Sequence, residues 1–313
     1  MKGVAHWAWG AVVGGLFLTG AQVDAQAPDT DVWLAPLSRV GDSLVVGTPK
    51  NVTRRAGYDN QPSFTPDATA ILYTAVVDGQ AEIVRYELRT GAITRLTNTV
   101  ESEYSPTVTP DGKWFSVVRV EKDSTQRLWK FPLAGGEPVL VLPNVKPVGY
   151  HAWIDDTTLV LYVLGQPARL QSANPRSGEV ELFDEGIGRG LAPSPNGRSV
   201  SYVQRDGVRA TIVEQRLDRP LLRQNVRTIY SLVAMPRSTT DFFAWTPGGE
   251  LFAASGTSLL RWNARRDSTS AWVPLAELSA SVLHNVTRLA VSPDGRWLAF
   301  VAEPAASPVT KER

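Results

Sequence analysis

Short apolar runs alternate with polar turns along most of the 313-residue chain, and one phrase recurs in this pattern. In each copy an apolar or hydroxyl-bearing run leads into a turn that resembles Pro-Asp-Gly, and a second apolar run follows. Runs of this length, rich in β-branched and aromatic residues and bounded by such turns, predict strands joined as hairpins. The phrase has six copies, and their turns begin at Pro66, Pro110, Ile154, Pro195, Pro247 and Pro293. The copy at Ile154 is the weakest, because it keeps the aspartate but has isoleucine in place of proline.

The chemistry of the turn explains the phrase. In the copy Pro110-Asp111-Gly112, proline presets φ at the second turn position, aspartate tolerates the third, and glycine takes the left-handed position that closes the hairpin. Successive turn positions lie 41 to 52 residues apart, a period that suits four-stranded propeller blades. We expect the longest step to absorb an insertion near Arg227 to Thr240.

The two ends of the chain indicate how the repeats close. Each hairpin is followed by a predicted third and fourth strand, but the last copy stops after its second strand. The segments Asp31–Leu37 and Lys50–Thr53 have the pattern of the missing pair. We therefore predict an all-β fold over residues 28–303, a single six-bladed β-propeller of four-stranded blades, closed by N-terminal strands that complete the last blade. A β-sandwich is the alternative, but it gives no reason for the displaced half-repeat.

The phrase Ser/Thr-Pro-Asp-Gly before a strand resembles the WD40-like PD40 repeat of the TolB-type propellers and of the propellers of prolyl-oligopeptidase-type peptidases. The resemblance covers about residues 30–303 and is specific for architecture, because propellers carry unrelated activities. Two features depart from those proteins. Only a few residues precede the first predicted strand, so we expect no counterpart of the N-terminal α/β domain of TolB. The given sequence has no Gly-x-Ser-x-Gly elbow of an α/β-hydrolase domain.

The N-terminus predicts export. Lys2 precedes an apolar run, Val4–Leu18, and small residues follow up to Ala27, so we expect residues 1–27 to be a signal peptide cleaved after Ala25 or Ala27. A membrane anchor is the alternative, although the apolar run is short for a span of about 20 residues. We expect a periplasmic or secreted monomer with no membrane span after cleavage, and a flexible C-terminal tail at residues 304–313.

Composition narrows the chemistry. The formal net charge is +1 and the arginines are scattered, so we expect no nucleic-acid partner. The chain has no cysteine, which excludes disulfides and thiol nucleophiles, and only His151 and His284 lie beyond the signal segment. We assign no catalytic residue, no metal and no cofactor. The repeated aspartates, such as Asp111, are explained by their turns.

Candidate binding residues follow from propeller geometry. The loops that enter the innermost strands gather at one mouth of the central channel, where side chains from all blades converge. Alignment on the turns selects residues five and six positions before each of them, to which His151 is added from two positions further along its strand. The candidate mouth residues are Asn60, Gln61, Tyr104, His151, Arg189, Asp241, Phe242 and Arg288.

These residues mix aromatic, cationic and acidic groups that suit a peptide or an acidic polymer. The leading hypothesis is a binding module that recognises an envelope or extracellular protein or peptide at the channel mouth. The alternative is a propeller hydrolase or lyase, or a lectin-like module, acting on envelope or extracellular glycans. Such an enzyme needs paired carboxylates or a Tyr/Arg/His set, for which Glu103, Asp241 and His151 are the candidates. A solvated rim without a ligand is the remaining possibility.

Overall fold

The computed structural model describes residues 28–41, 43–217, 229–236, 240–263 and 271–305. The predicted signal peptide, residues 1–27, and residues 306–313 of the predicted tail lie outside this part of the chain. The described residues contain strands and turns but no helix, and so no helix that could span a membrane.

The strands follow the chain as six sheets. The N-terminal segment forms β1 (Asp31–Val40), β2 (Ser43–Val46) and β3 (Lys50–Asn51). Blade 1 contains β4 (Asp59–Phe64), β5 (Ala70–Val77), β6 (Gln80–Glu87) and β7 (Ile93–Arg95). Blade 2 contains β8 (Ser102–Val108), β9 (Trp114–Val120), β10 (Gln126–Pro132) and β11 (Val139–Leu140). Blade 3 contains β12 (Val148–Asp155), β13 (Thr158–Val163), β14 (Arg169–Ala173) and β15 (Val180–Glu185).

The remaining blades have the same antiparallel order. Blade 4 contains β16 (Ile187–Pro193), β17 (Ser199–Asp206), β18 (Arg209–Arg216) and β19 (Ile229–Ala234). Blade 5 contains β20 (Phe243–Trp245), β21 (Leu251–Ser255), β22 (Ser258–Trp262) and β23 (Val273–Glu277). The C-terminal strands are β24 (Leu283–His284), β25 (Leu289–Val291) and β26 (Trp297–Pro304).

The last blade joins the two ends of the chain, as the sequence predicts. β1 pairs with β26 over six residue pairs, from Asp31 opposite Ala302 to Pro36 opposite Trp297. β25 lies on the other side of β26, and β3 lies on the other side of β1. The four strands β25, β26, β1 and β3 form blade 6, which confirms the six-bladed propeller and its closure by N-terminal strands.

Blade 6 is longer than the prediction. The end of β1 continues past the blade and forms a hairpin with β2, and β24 pairs with the end of β26. Because Leu283 pairs with Pro304, β26 runs one residue into the predicted tail.

The hydrophobic core consists of six clusters, and each fills the junction between two adjacent blades. The side chains of β1, which alternate between the two faces of blade 6, illustrate this packing. Val32 and Leu34 pack against blade 1, whereas Trp33, Ala35 and Leu37 pack against blade 5. Since neighbouring side chains of a strand point to opposite faces of the sheet, every blade needs apolar residues on both faces. Among the described residues, the hydrophobic core therefore lies between the blades.

The turns of the repeated phrase behave as expected from their residues. In the blade 2 turn, Thr109 Oγ1 donates to Asp111 Oδ1 at 2.6 Å and the Lys113 amide donates to the same oxygen at 3.0 Å. The hydrogen bond from Thr109 holds the pKa of Asp111 below its usual value. Gly112 has φ +67°, the left-handed conformation that the turn requires. These contacts assign Asp111 a structural role.

One detail of the sequence interpretation was wrong. The segment Arg227 to Thr240 is not wholly an insertion, because β19 lies within it and completes blade 4. Residues 227, 228 and 237–239 of the predicted segment lie outside the part of the chain that the structure describes.

Candidate functional site

A cavity of about 360 Å³ runs along the central channel and is lined by the innermost strands of all six blades. Gln61 and Ser63 line it from β4, Ser105 and Thr107 from β8, and His151 from β12. The other blades contribute residues in or next to β16, β20 and β25, including Arg189, Phe242, Trp245, Arg288 and Val291. The cavity is therefore a property of the closed ring and not of one blade.

Local irregularities shape the wall of this cavity. The pairing of the innermost strand with its neighbour shifts register between Asn60 and Ser63 in blade 1 and between Tyr104 and Thr107 in blade 2. Such bulges bend a strand and redirect its side chains. Gln61 and Ser105 occupy equivalent places in the two bulges, and both have positive φ, 59° and 54°.

Hydrogen bonds hold these two bulges together. The Ser105 amide donates to Gln61 Oε1 at 2.7 Å, and Thr74 Oγ1 donates to the same oxygen at 2.9 Å. Gln61 thus ties blade 1 to blade 2 at the channel. Its oxygen is occupied by the protein, and this makes Gln61 a structural as well as a lining residue.

Three side chains form the most distinctive group, which we call the mouth cluster: Tyr150, Phe242 and Arg288. The Arg288 guanidinium carbon lies 3.5 Å from the ring centroid of Phe242 and 4.8 Å from that of Tyr150. Arg288 Nη2 donates to the Tyr150 hydroxyl at 3.0 Å, and the two rings meet edge to face at 6.0 Å. An arginine held between two aromatic faces gains cation–π stabilisation while keeping its charge.

The charge of Arg288 affects nearby tyrosines. Burial raises the pKa of Tyr150, but the charge and hydrogen bond of Arg288, with a further contribution from Arg189, outweigh it and leave the pKa below its usual value. Burial dominates at Tyr58, where it raises the pKa to about 12 although Arg288 opposes the shift. The positive charge is thus effective inside the mouth.

His151 is a buried member of the wall. It is 8% exposed, and burial lowers its pKa to about 3, so the imidazole is neutral at physiological pH. Its Nε2 lies 2.7 Å from Ser116 Oγ, which also accepts a hydrogen bond from Trp153 Nε1 at 2.8 Å. His151 Nδ1 is buried and has no hydrogen-bond partner among the described residues.

Asp241 lies outside the cavity lining and is already paired. It forms an ion pair with Arg205, and its Oδ2 accepts from the Arg189 amide at 3.2 Å. Asp241 also lies very close to β16, and this explains the glycine at position 190. A Cβ at Gly190 would lie 2.0 Å from the backbone oxygen of Asp241. Asp241 joins blade 5 to blade 4.

The predicted mouth residues therefore divide into two groups. Gln61, His151, Arg189, Phe242 and Arg288 line the cavity. Asn60, Tyr104 and Asp241 do not. The Asn60 side chain accepts a hydrogen bond from the Gln61 amide, and Tyr104 packs against the hydrophobic cluster between blades 2 and 3.

Sequence reasoning missed Tyr150, Trp153 and Trp245, although all three line the cavity. Tyr150 lies four positions before its turn, one position away from those the alignment selected. Trp153 and Trp245 belong to the repeated phrase itself, within copies that read Ala-Trp. The recurrence of tryptophan beside the turn in two repeats was the feature of the sequence that could have indicated these lining residues.

The three residues named as candidates for a glycan enzyme, Glu103, Asp241 and His151, do not lie together. Glu103 is fully buried, and its Oε1 accepts from Arg119 and Thr99. Asp241 is engaged by Arg205, and His151 is on the channel wall. The three do not form one group around the cavity.

Comparisons with known proteins place this architecture among familiar propellers. No family model matches the chain. An uncharacterised protein of Agrobacterium fabrum is 26% identical over 181 residues, which are 50% of this chain and 58% of that protein. The match therefore spans less than two thirds of the relative.

Solved structures match over more of the chain. A putative TolB from Agrobacterium tumefaciens has 16% identity and a TM-score of 0.67, covering 88% of this chain and 98% of its own. TolB from Acinetobacter baumannii has 17% identity and a TM-score of 0.58, covering 87% and 64%. A gluconolactonase from Xanthomonas campestris has 11% identity and a TM-score of 0.61, covering 91% and 100%. The protein thus has the six-bladed propeller fold of TolB proteins, a fold that an enzyme also uses.

Proposed function

We propose that the protein is an exported binding module whose channel mouth holds a segment of an envelope or extracellular protein or peptide. The observation that carries the proposal is the mouth cluster, in which Arg288 lies between Tyr150 and Phe242 on the wall of the channel cavity. Tyrosine and arginine are over-represented among residues that dominate binding energy, because they combine large contact area with directed hydrogen bonds.

The rigidity of the site supports the same function. The bulges at Gln61 and Ser105 are tied across blades, and Asp241 fixes the backbone of Arg189. A wall held in this way loses little conformational entropy when a partner binds. Export is part of the proposal and rests on the apolar N-terminal segment with small residues up to Ala27. We expect the protein to act as a monomer.

A capture experiment tests the proposed function. The immobilised protein is incubated with envelope extract of the source organism, and retained proteins are identified and then measured by titration with a purified candidate. We expect Arg288→Ala and Phe242→Ala each to weaken the affinity by about 10-fold to 30-fold, as for central contact residues. Val180→Ala is the control, because Val180 is 44% exposed on the outer strand β15.

Equal affinities of the wild type and both mouth variants would contradict the site assignment. Release of a product from an envelope glycan by the wild type, lost in Arg288→Ala, would favour the enzymatic alternative over the binding module.

A further inference from the structure

The charged residues on the cavity wall all have one sign. Arg189 and Arg288 line the cavity, and the described residues that line it include no aspartate or glutamate. His151 adds no charge at neutral pH because burial lowers its pKa to about 3. The nearby Asp241 is balanced by its ion pair with Arg205. The cavity is therefore positive, although the whole chain has a formal net charge of only +1.

Arg288 is oriented by two aromatic side chains. One N–H group donates to the Tyr150 hydroxyl, and the guanidinium plane is held by the rings of Tyr150 and Phe242. Within the described part of the chain, no carboxylate forms an ion pair with Arg288. An arginine has five N–H donors in a fixed fork that matches a carboxylate. Aromatic packing fixes this fork before a ligand arrives.

Resting on the function proposed above, we propose that the mouth recognises a carboxylate of its peptide ligand, held by Arg288 beside the aromatic rings of Tyr150 and Phe242. The carboxylate belongs to an aspartate or glutamate side chain or to the C-terminus of the bound segment. The cavity volume is near the lower end for ligand pockets, so it admits a few side chains or a chain end. Charge complementarity with the two lining arginines selects an acidic segment.

The probe for this inference is an array of random dodecapeptides, synthesised with free and with amidated C-termini. The purified protein is applied, and binding peptides are compared with the array as a whole. We expect enrichment of aspartate and glutamate, or dependence on the free C-terminus. These two results distinguish the source of the carboxylate.

Selected peptides then test the role of Arg288. Replacing the recognised carboxylate by its amide should weaken binding about 10-fold to 100-fold, as expected for a charge-assisted hydrogen bond. Arg288→Gln should weaken binding of the acidic peptide by the same factor, and the amide peptide should then lose nothing further. Arg288→Lys retains a charge and should keep part of the preference. Arg176→Gln is the control, because the Arg176 side chain is 69% exposed on a blade 3 turn.

Thermal melting establishes that the variants are folded. Binding peptides without acidic enrichment or free C-terminus dependence, or an undiminished carboxylate preference in folded Arg288→Gln, would overturn the carboxylate inference and leave peptide binding intact. Absence of any peptide binding by the wild type would overturn both proposals.

Discussion

At the residue scale, the repeated turn shows where this chain departs from its own pattern. Four of the turns have glycine at the left-handed position, but the blade 1 turn has Ala68, with φ +54°. A residue with a Cβ pays a conformational cost there that glycine avoids. The local hydrogen bonds of Asp67 and Thr65 keep the turn in place despite this cost.

Ala68→Gly should therefore stabilise the protein, and Gly112→Ala should destabilise it. We expect a change in the free energy of unfolding of about 0.5–1 kcal/mol in each direction, since relief of the left-handed strain exceeds the added entropy of glycine in the unfolded chain. A Cβ at Gly112 would meet nothing within 4 Å, so the second variant isolates the backbone effect. Urea denaturation measures both, and equal signs for the two variants would contradict the interpretation.

At the element scale, two consecutive blade junctions contain the same arrangement of acids and threonines. Thr53 Oγ1 of the segment after β3 donates to Asp31 Oδ1 of β1 at 2.8 Å, and Thr97 Oγ1 after β7 donates to Glu82 Oε2 of β6 at 2.6 Å. At each junction the innermost strand of the following blade adds a second buried acid. This acid is Asp59 of β4 at the first junction and Glu103 of β8 at the second. Burial raises the pKa of Asp59 to about 6 and that of Glu103 to about 7.

The raised pKa of Glu103 predicts an unusual dependence of stability on pH. Between its ordinary pKa and about 7, the folded protein holds a proton that the unfolded chain has released, so stability should fall as pH rises through this window. Thr99 and Arg119 partly offset the effect of burial on this pKa, whereas the negative charge of Glu82 adds to it. Glu101 lies 3.7 Å from Arg119. The contribution is of the order of 1–3 kcal/mol.

Glu103→Gln should flatten this dependence, because an amide resembles the protonated acid. Asp111→Asn is the control, since the pKa of Asp111 is lowered and its titration lies below this window, so the variant should leave the slope unchanged. Denaturant titrations from pH 4.5 to pH 8 measure the slopes. A wild-type stability that rises with pH across the window, unchanged by Glu103→Gln, would contradict the account of the junction.

At the scale of the whole molecule, the closed ring could be predicted because its closure requires strands from both ends of the chain, and this order is visible in the sequence. β1 and β3 lie at the beginning of the chain but complete the sheet of β25 and β26 at its end. A turn phrase repeated at propeller spacing and a displaced half-repeat together determine the blade count. Six interblade clusters then follow from the apolar residues on both faces of each blade.

The site could be predicted only in part, because an alignment on the turns assumes a constant register from the turn to the mouth. Bulges break that register, as between Val148 and Tyr150 in blade 3. Tyr150 therefore reaches Arg288 although its position was not selected, whereas Tyr104 packs between blades. Asp241 illustrates a second difficulty, since its ion pair with Arg205 depends on the contact between two neighbouring blades, across 36 residues of sequence.

The central claim is that a partner binds at the channel mouth, and site-specific photo-crosslinking in the source organism tests it most directly. A photoreactive phenylalanine analogue replaces Phe242 in one strain and Val180, on the outer strand of blade 3, in another. The account predicts a covalent adduct with one protein partner from position 242 and none from position 180. An adduct from position 180 alone would contradict it.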